Sequence, residues 1–160
     1  MIQSDPGSKG VTTAVWQPNT PARIIVAEDD DTLRELLMSK LLDDGYEVYG
    51  ASSSHELLRL LADGGCTIPP VDGADLIIVD QYLPDASGLD IIRRMRGARS
   101  RIPFLLMTAL PTTDLLSETR RLRVPLLVKP FSLSDLSNAA LLLLLTVDAW
   151  HHDKHPVAVI

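Results

Sequence analysis

A chain of 160 residues, 46% apolar and 22% charged, has the material for one domain with a sizeable core. Its net charge of −6 argues against unspecific nucleic-acid binding, and a single cysteine, Cys66, rules out an internal disulfide. The longest apolar stretch, 139–147, is too short to cross a bilayer, and no signal peptide is visible. A cytoplasmic protein is expected.

Residues 1–21 are rich in Gly, Ser, Pro and Thr and read as a flexible leader. The apolar run at 23–27 reads as a buried parallel strand. A first helix should follow over 31–44, with Leu33, Leu36, Leu37 and Leu41 as its apolar stripe and Gly45 as its stop. Residues 46–49 alternate as a short strand. Ser53 and Glu56 then stand at capping-box spacing and open a second helix to about Asp63. A loop over 64–74 with Pro69 and Pro70 leads to a third strand at 76–80. Ser87 and Gly88 start a third helix that ends near Gly97. A strand at 102–107 precedes a short helix over 115–122. A last strand at 125–128 precedes a helix from Leu133 to Trp150, with a tail over 151–160. That last helix holds five consecutive leucines, Leu141 to Leu145, more than one face can bury. His151, His152 and His155 read as a solvated tail. Strands alternating with helices predict a doubly wound α/β sheet, five-stranded and parallel.

The chemistry lies at the strand ends. The first strand runs into Glu28, Asp29, Asp30 and Asp31; the third ends on Asp80; the fourth ends at Thr108; the fifth runs into Lys129 and Pro130. Parallel strands bring these ends to one edge, where open α/β sheets bind ligands. Clustered carboxylates repel one another and need a cation to stay ionised. Hard oxygen donors suit Mg²⁺, which takes one or two carboxylates plus phosphate oxygens. Thr and Lys can each contact a phosphoryl oxygen, by hydroxyl and by charge. Asp30 reads better as the start of the next helix than as a metal ligand.

The ordered set Glu28-Asp29, Asp80, Thr108 and Lys129-Pro130 resembles the receiver domain of two-component response regulators. The flanking text agrees: IIVAEDDDTLREL, DLIIVDQYLPDASGLDII, PFLLMTAL and PLLVKPFSLSDL. The resemblance covers about residues 22–147, and the receiver is expected to span 22–150. It implies a flavodoxin-like sheet with strand order 2-1-3-4-5. It implies that Asp80 accepts a phosphoryl group from a histidine of a sensor kinase or phosphotransfer protein. Glu28, Asp29, Asp80 and the backbone carbonyl of Tyr82 would hold Mg²⁺ or Mn²⁺, and Thr108 and Lys129 would bind phosphoryl oxygens. Self-phosphorylation and self-dephosphorylation at Asp80, rather than conventional enzyme turnover, follow from it. So does an output surface made by the fourth helix, fifth strand and fifth helix, which can also pair two copies.

Two positions depart from the family's pattern or add to it. Leu126 stands three residues before Lys129, where the family usually has an aromatic switch residue. The leader, with Thr12-Thr13 and Trp16-Gln17-Pro18, weakly resembles the end of a histidine-kinase ATP-binding domain, which would make the chain the terminal receiver of a hybrid kinase. Too few residues follow Lys129 for a DNA-binding domain in this chain. Two other readings stand beside the first. One is a constitutive binding module built on a degenerate receiver. The other is an aspartyl-phosphate phosphatase, which usually wants a second acid two residues after the nucleophile, where this chain has Tyr82.

Overall fold

The computed structural model describes residues 21–62 and 74–151, with the backbone alone for 147–151. Residues 1–20 of the expected leader, most of the 64–74 loop with Cys66, and the tail histidines His152 and His155 lie outside the described residues.

The elements run β1 (Arg23–Ala27), α1 (Asp31–Asp43), β2 (Glu47–Ala51), α2 (Ser54–Ala62), β3 (Leu76–Asp80), α3 (Gly88–Gly97), β4 (Phe104–Thr108), α4 (Thr113–Leu122), β5 (Leu126–Val128) and α5 (Leu133–His151). All strand pairs are parallel, and the sheet order is β2-β1-β3-β4-β5, as expected. The three inner strands are apolar except for Arg23, Asp80 and Thr108 at their ends, because both of their faces are covered. Ile25, Ile77, Val79, Phe104 and Leu106 point to one face and pack with Leu57 of α2, Ile91 and Ile92 of α3 and Leu115 of α4. Ile24, Val26, Leu76, Ile78, Leu105 and Met107 point to the other and pack with Leu37 and Leu41 of α1 and Leu136 and Ala140 of α5. The period of two along each strand thus divides one sheet between two cores.

Local chemistry sets the element ends. Asp30 caps α1, its carboxylate accepting from the Leu33 N–H at 2.8 Å. Gly45, just past that helix, adopts φ +94°, a conformation glycine tolerates without strain. The capping box at α2 is displaced in one arm. Ser53 Oγ accepts from the Glu56 N–H, but Glu56 accepts from Ser52, at its N–H and its hydroxyl. Helix α4 begins earlier than its leucine pattern indicates, because the Thr112 hydroxyl caps it by accepting from the Leu115 N–H. Strands β4 and β5 begin just after Pro103 and Pro125, which have no N–H to donate but whose carbonyls accept from Ile77 and Leu106. Arg93 of α3 and Arg121 both reach Glu118 of α4 at 2.9 Å; the guanidinium of Arg121, then that of Arg93, draws its carboxyl down to about 2.

The leucine run of α5 divides between core and surface. Leu143 and Leu144 pack against the α1–α5 core, whereas Leu141, Leu142 and Leu145 are 48%, 64% and 56% exposed.

Gly88 is where α3 meets the end of β3. A Cβ there would lie 2.5 Å from the Asp80 carbonyl oxygen and 2.8 Å from Leu106 Cδ1. The backbone oxygen cannot give way without shifting the strand that carries Asp80. Gly88→Ala should therefore destabilise the protein by about 1–3 kcal/mol, read as a lower urea midpoint at unchanged slope.

Candidate functional site

The C-terminal edge of the sheet is where the acidic residues collect. β1 delivers Glu28 and Asp29, and β3, its neighbour, delivers Asp80. Glu28 and Asp80 are 2% and 6% exposed, while Asp29 faces solvent. Carboxylate oxygens of the three residues lie within 4.8 Å of one another. Lys129, just past β5, reaches across β4 and β3 to this cluster. Its Nζ donates to Glu28 Oε2 at 2.7 Å and lies 3.0 Å from Asp80 Oδ1.

Burial pushes the Glu28 carboxyl above its usual range; the hydrogen bond from Lys129 opposes this, and the charge of Asp80 adds to it. Burial acts to lower the Lys129 ammonium, but its bonds to Glu28 and Asp80 outweigh that and hold it above its usual value. Lys129 is thus charged at neutral pH and supplies positive charge to two buried acids that would otherwise repel each other.

The backbone around these groups is tied in several places. The Glu28 N–H bonds to the Ala51 carbonyl at 3.0 Å, and Arg34 donates to the Glu28 carbonyl at 2.7 Å. The Asp80 carboxylate accepts weakly from the Tyr82 N–H at 3.3 Å. Thr108 is fully buried at the end of β4, and its hydroxyl accepts from the Leu110 N–H at 3.1 Å, closing the turn that leads to α4. The Lys129 N–H bonds to the Thr108 carbonyl, so the strand ends bearing hydroxyl and ammonium are adjacent.

Every residue singled out from the strand ends lies at this edge: Glu28, Asp29, Asp80 and Lys129 in one cluster, Thr108 one strand away, and Tyr82 two residues beyond Asp80. Asp30 stands apart as the α1 cap. The sequence reading missed Arg34 and Asp85. Arg34 has the signal of an arginine one helical turn past the Asp30 cap. Asp85 bonds to backbone N–H groups of Ser54 and His55, about thirty residues earlier, and no local pattern points there.

The arrangement matches known proteins. Residues 24–141 match the family model for the response regulator receiver domain. The chain is 34% identical over 118 residues to the DNA-binding transcriptional regulator NtrC of Rhizobium meliloti, covering 73% of this chain and 23% of that protein. It is 32% identical over 117 residues to the transcriptional regulatory protein PdtaR of Mycobacterium tuberculosis, covering 72% of this chain and 53% of that one. The chain thus spans about half or less of these relatives. Among solved structures, the receiver domain of Francisella response regulator 1452 superposes with a TM-score of 0.69 at 22% identity, covering 79% of this chain and 98% of that one. The receiver domain of HemR from Leptospira biflexa superposes with a TM-score of 0.66 at 26% identity, covering 77% and 94%. The family match spans most of the chain and both cores of the sheet, and the chain belongs to the receiver domains of two-component response regulators.

Proposed function

We propose that this receiver takes a phosphoryl group onto Asp80 from a histidine of a partner kinase or phosphotransfer protein, and that the modified domain changes a partner-binding surface. The observation that carries the proposal is the Glu28–Lys129–Asp80 cluster at the sheet's C-terminal edge. An Asp80 carboxylate oxygen attacks phosphorus in line. The P–N bond to the donor histidine breaks as the O–P bond forms, and the product is an acyl phosphate that water can cleave. Lys129 already lies against Asp80, and it would meet a phosphoryl oxygen. Thr108 can meet another by giving up its bond to the Leu110 N–H, which would loosen the turn before α4.

The donor set fits Mg²⁺: three carboxylates with oxygens close together, in a pocket that already draws a cation onto two of them. Glu28, Asp29, Asp80 and the Tyr82 carbonyl would hold the ion. It would supply positive charge to the transferring phosphoryl group.

Output would pass through α4, β5 and α5. Leu126 is part-buried and packs on the core beneath α4, so the aromatic movement usual in the family has no counterpart here. The exposed Leu141, Leu142 and Leu145 give α5 apolar area for a partner or a second copy. Among the described residues, every element belongs to the receiver unit, and no helix is long and apolar enough to cross a membrane.

Incubation with a small phosphodonor and Mg²⁺ should add one phosphoryl mass to the intact chain. Asp80→Asn should abolish that addition; a full mass shift in the variant would remove Asp80 from the role.

Millimolar Mg²⁺ or Mn²⁺ should raise the melting midpoint, because an ion that binds only the folded state stabilises it. Asp29→Ala should remove most of the rise, and an unchanged rise in that variant would count against the ligand set.

Removing Lys129 should cost stability in a pH-dependent way. Glu28 has a folded pKa above its usual 4.5, so stability falls as pH rises from about 4.5 through the folded value. Lys129→Met withdraws the group that opposes this shift, and the fall becomes steeper. The variant should therefore lose more urea stability at pH 7 than at pH 4.5, and Mg²⁺ should restore part of the loss at pH 7.

A further inference from the structure

Asp85 lies in the loop between β3 and α3, yet it bonds to another part of the fold. Its Oδ1 accepts from the Ser54 N–H at 2.8 Å and its Oδ2 from the His55 N–H at 2.9 Å. These are first-turn N–H groups of α2, which have no partner within the helix. The bonds, that to Ser54 first, hold the Asp85 carboxyl below its usual range. A solvated loop acid would not be expected to span two backbone donors on a distant element.

The rest of the loop is closed on itself. Tyr82 pairs with Ser87 in an antiparallel bridge, the Gly88 N–H bonds to the Gln81 carbonyl, and the Leu89 N–H bonds to the Gln81 side chain. Leu83 is buried beneath it. The base is therefore fixed at α3, and the part beyond Tyr82 is fastened to α2 through Asp85. Helix α2 follows directly on β2, whose last residue, Ala51, accepts the Glu28 N–H. The segments bearing Glu28 and Asp80–Tyr82 are thus joined by a second route, independent of their pairing in the sheet.

We infer that Asp85 is a positioning residue for the cation site, holding the Tyr82 backbone against the Glu28 and Asp80 segments by clamping the β3–α3 loop to the N-terminus of α2. The inference rests on the proposed Mg²⁺ site and adds a residue that touches neither the ion nor the phosphoryl group. A supporting partner of this kind commonly changes metal affinity by about 10–100-fold when removed.

The test is calorimetric titration of the whole 160-residue chain with Mg²⁺, with metal-free urea unfolding in parallel. Asp85→Ala should weaken Mg²⁺ binding on the order of tenfold. Asp85→Asn should weaken it less, because the amide oxygen still accepts one N–H. Ser53→Ala is the control: it removes a different α2 cap, from the Glu56 N–H, without touching the loop. It should lower the urea midpoint and leave the Mg²⁺ affinity unchanged.

A wild-type affinity in Asp85→Ala overturns the inference. So does an equal loss in Ser53→Ala, which would mean that fraying of α2 is the cause. If Asp85→Ala does not fold, the comparison of Asp85→Asn with Ser53→Ala decides, and equal affinities overturn it. Absence of Mg²⁺ binding by the wild-type chain is a separate result: it removes the proposed cation site itself, and this inference with it.

Discussion

Asp80 ends β3 and Glu28 follows the neighbouring β1, both are buried, and the ammonium of Lys129 lies between them. Two buried carboxylates a few ångströms apart would otherwise repel each other and push the strand ends apart. The pair costs desolvation, and a single cation offsets it only because it reaches both acids at hydrogen-bonding distance. Parallel pairing of β1, β3, β4 and β5 is what puts all three groups at the same end. In an antiparallel sheet the same residues would be divided between opposite edges.

The apolar sheet makes that charged edge possible. Its inner strands send alternate residues to two helix layers, so each strand is locked in register by two cores at once. A slip of one residue would turn Asp80 and Thr108 to the opposite face, away from Lys129 and the Leu110 N–H. Gly88 serves the same end from outside the strand, since only a residue without a side chain lets α3 start against the Asp80 carbonyl. The turn after Thr108 is held by the hydroxyl bond to the Leu110 N–H and by a backbone bond from the Thr112 N–H to the Leu110 carbonyl. The hydroxyl bond contributes about 1 kcal/mol, small enough for the proposed phosphoryl group to compete with it.

The face made by α4, β5 and α5 follows different rules. β5 is a three-residue edge strand, and Leu126 in it is only partly covered. Helix α5 uses Leu136, Ala140, Leu143 and Leu144 against the sheet and leaves three other leucines in solvent. Five consecutive leucines cannot all face inward on a helix, and the ones left out determine how apolar the outer surface is.

Much of this protein could be read in the chain. The apolar runs at 23–27, 76–80 and 102–107 read as buried strands because both faces of the strands they form are covered, which removes the alternation of a half-exposed strand. The caps at Asp30 and Ser53 are short-range bonds, and residues three apart suffice to predict them. The candidate site was legible because parallel topology turns "last residue of a strand" into a place in space. Tertiary structure alone decided which acid the lysine touches, since Lys129 and Glu28 are 101 positions apart. It also decided that Glu56 bonds to Ser52, that Thr112 starts α4 ahead of its leucines, and that Asp85 clamps α2. The physical reason is common to these cases. Periodicity and strand-end chemistry are properties of neighbouring residues, whereas a polar side chain chooses its partner from whatever donors the packed helices and loops bring within about 3 Å.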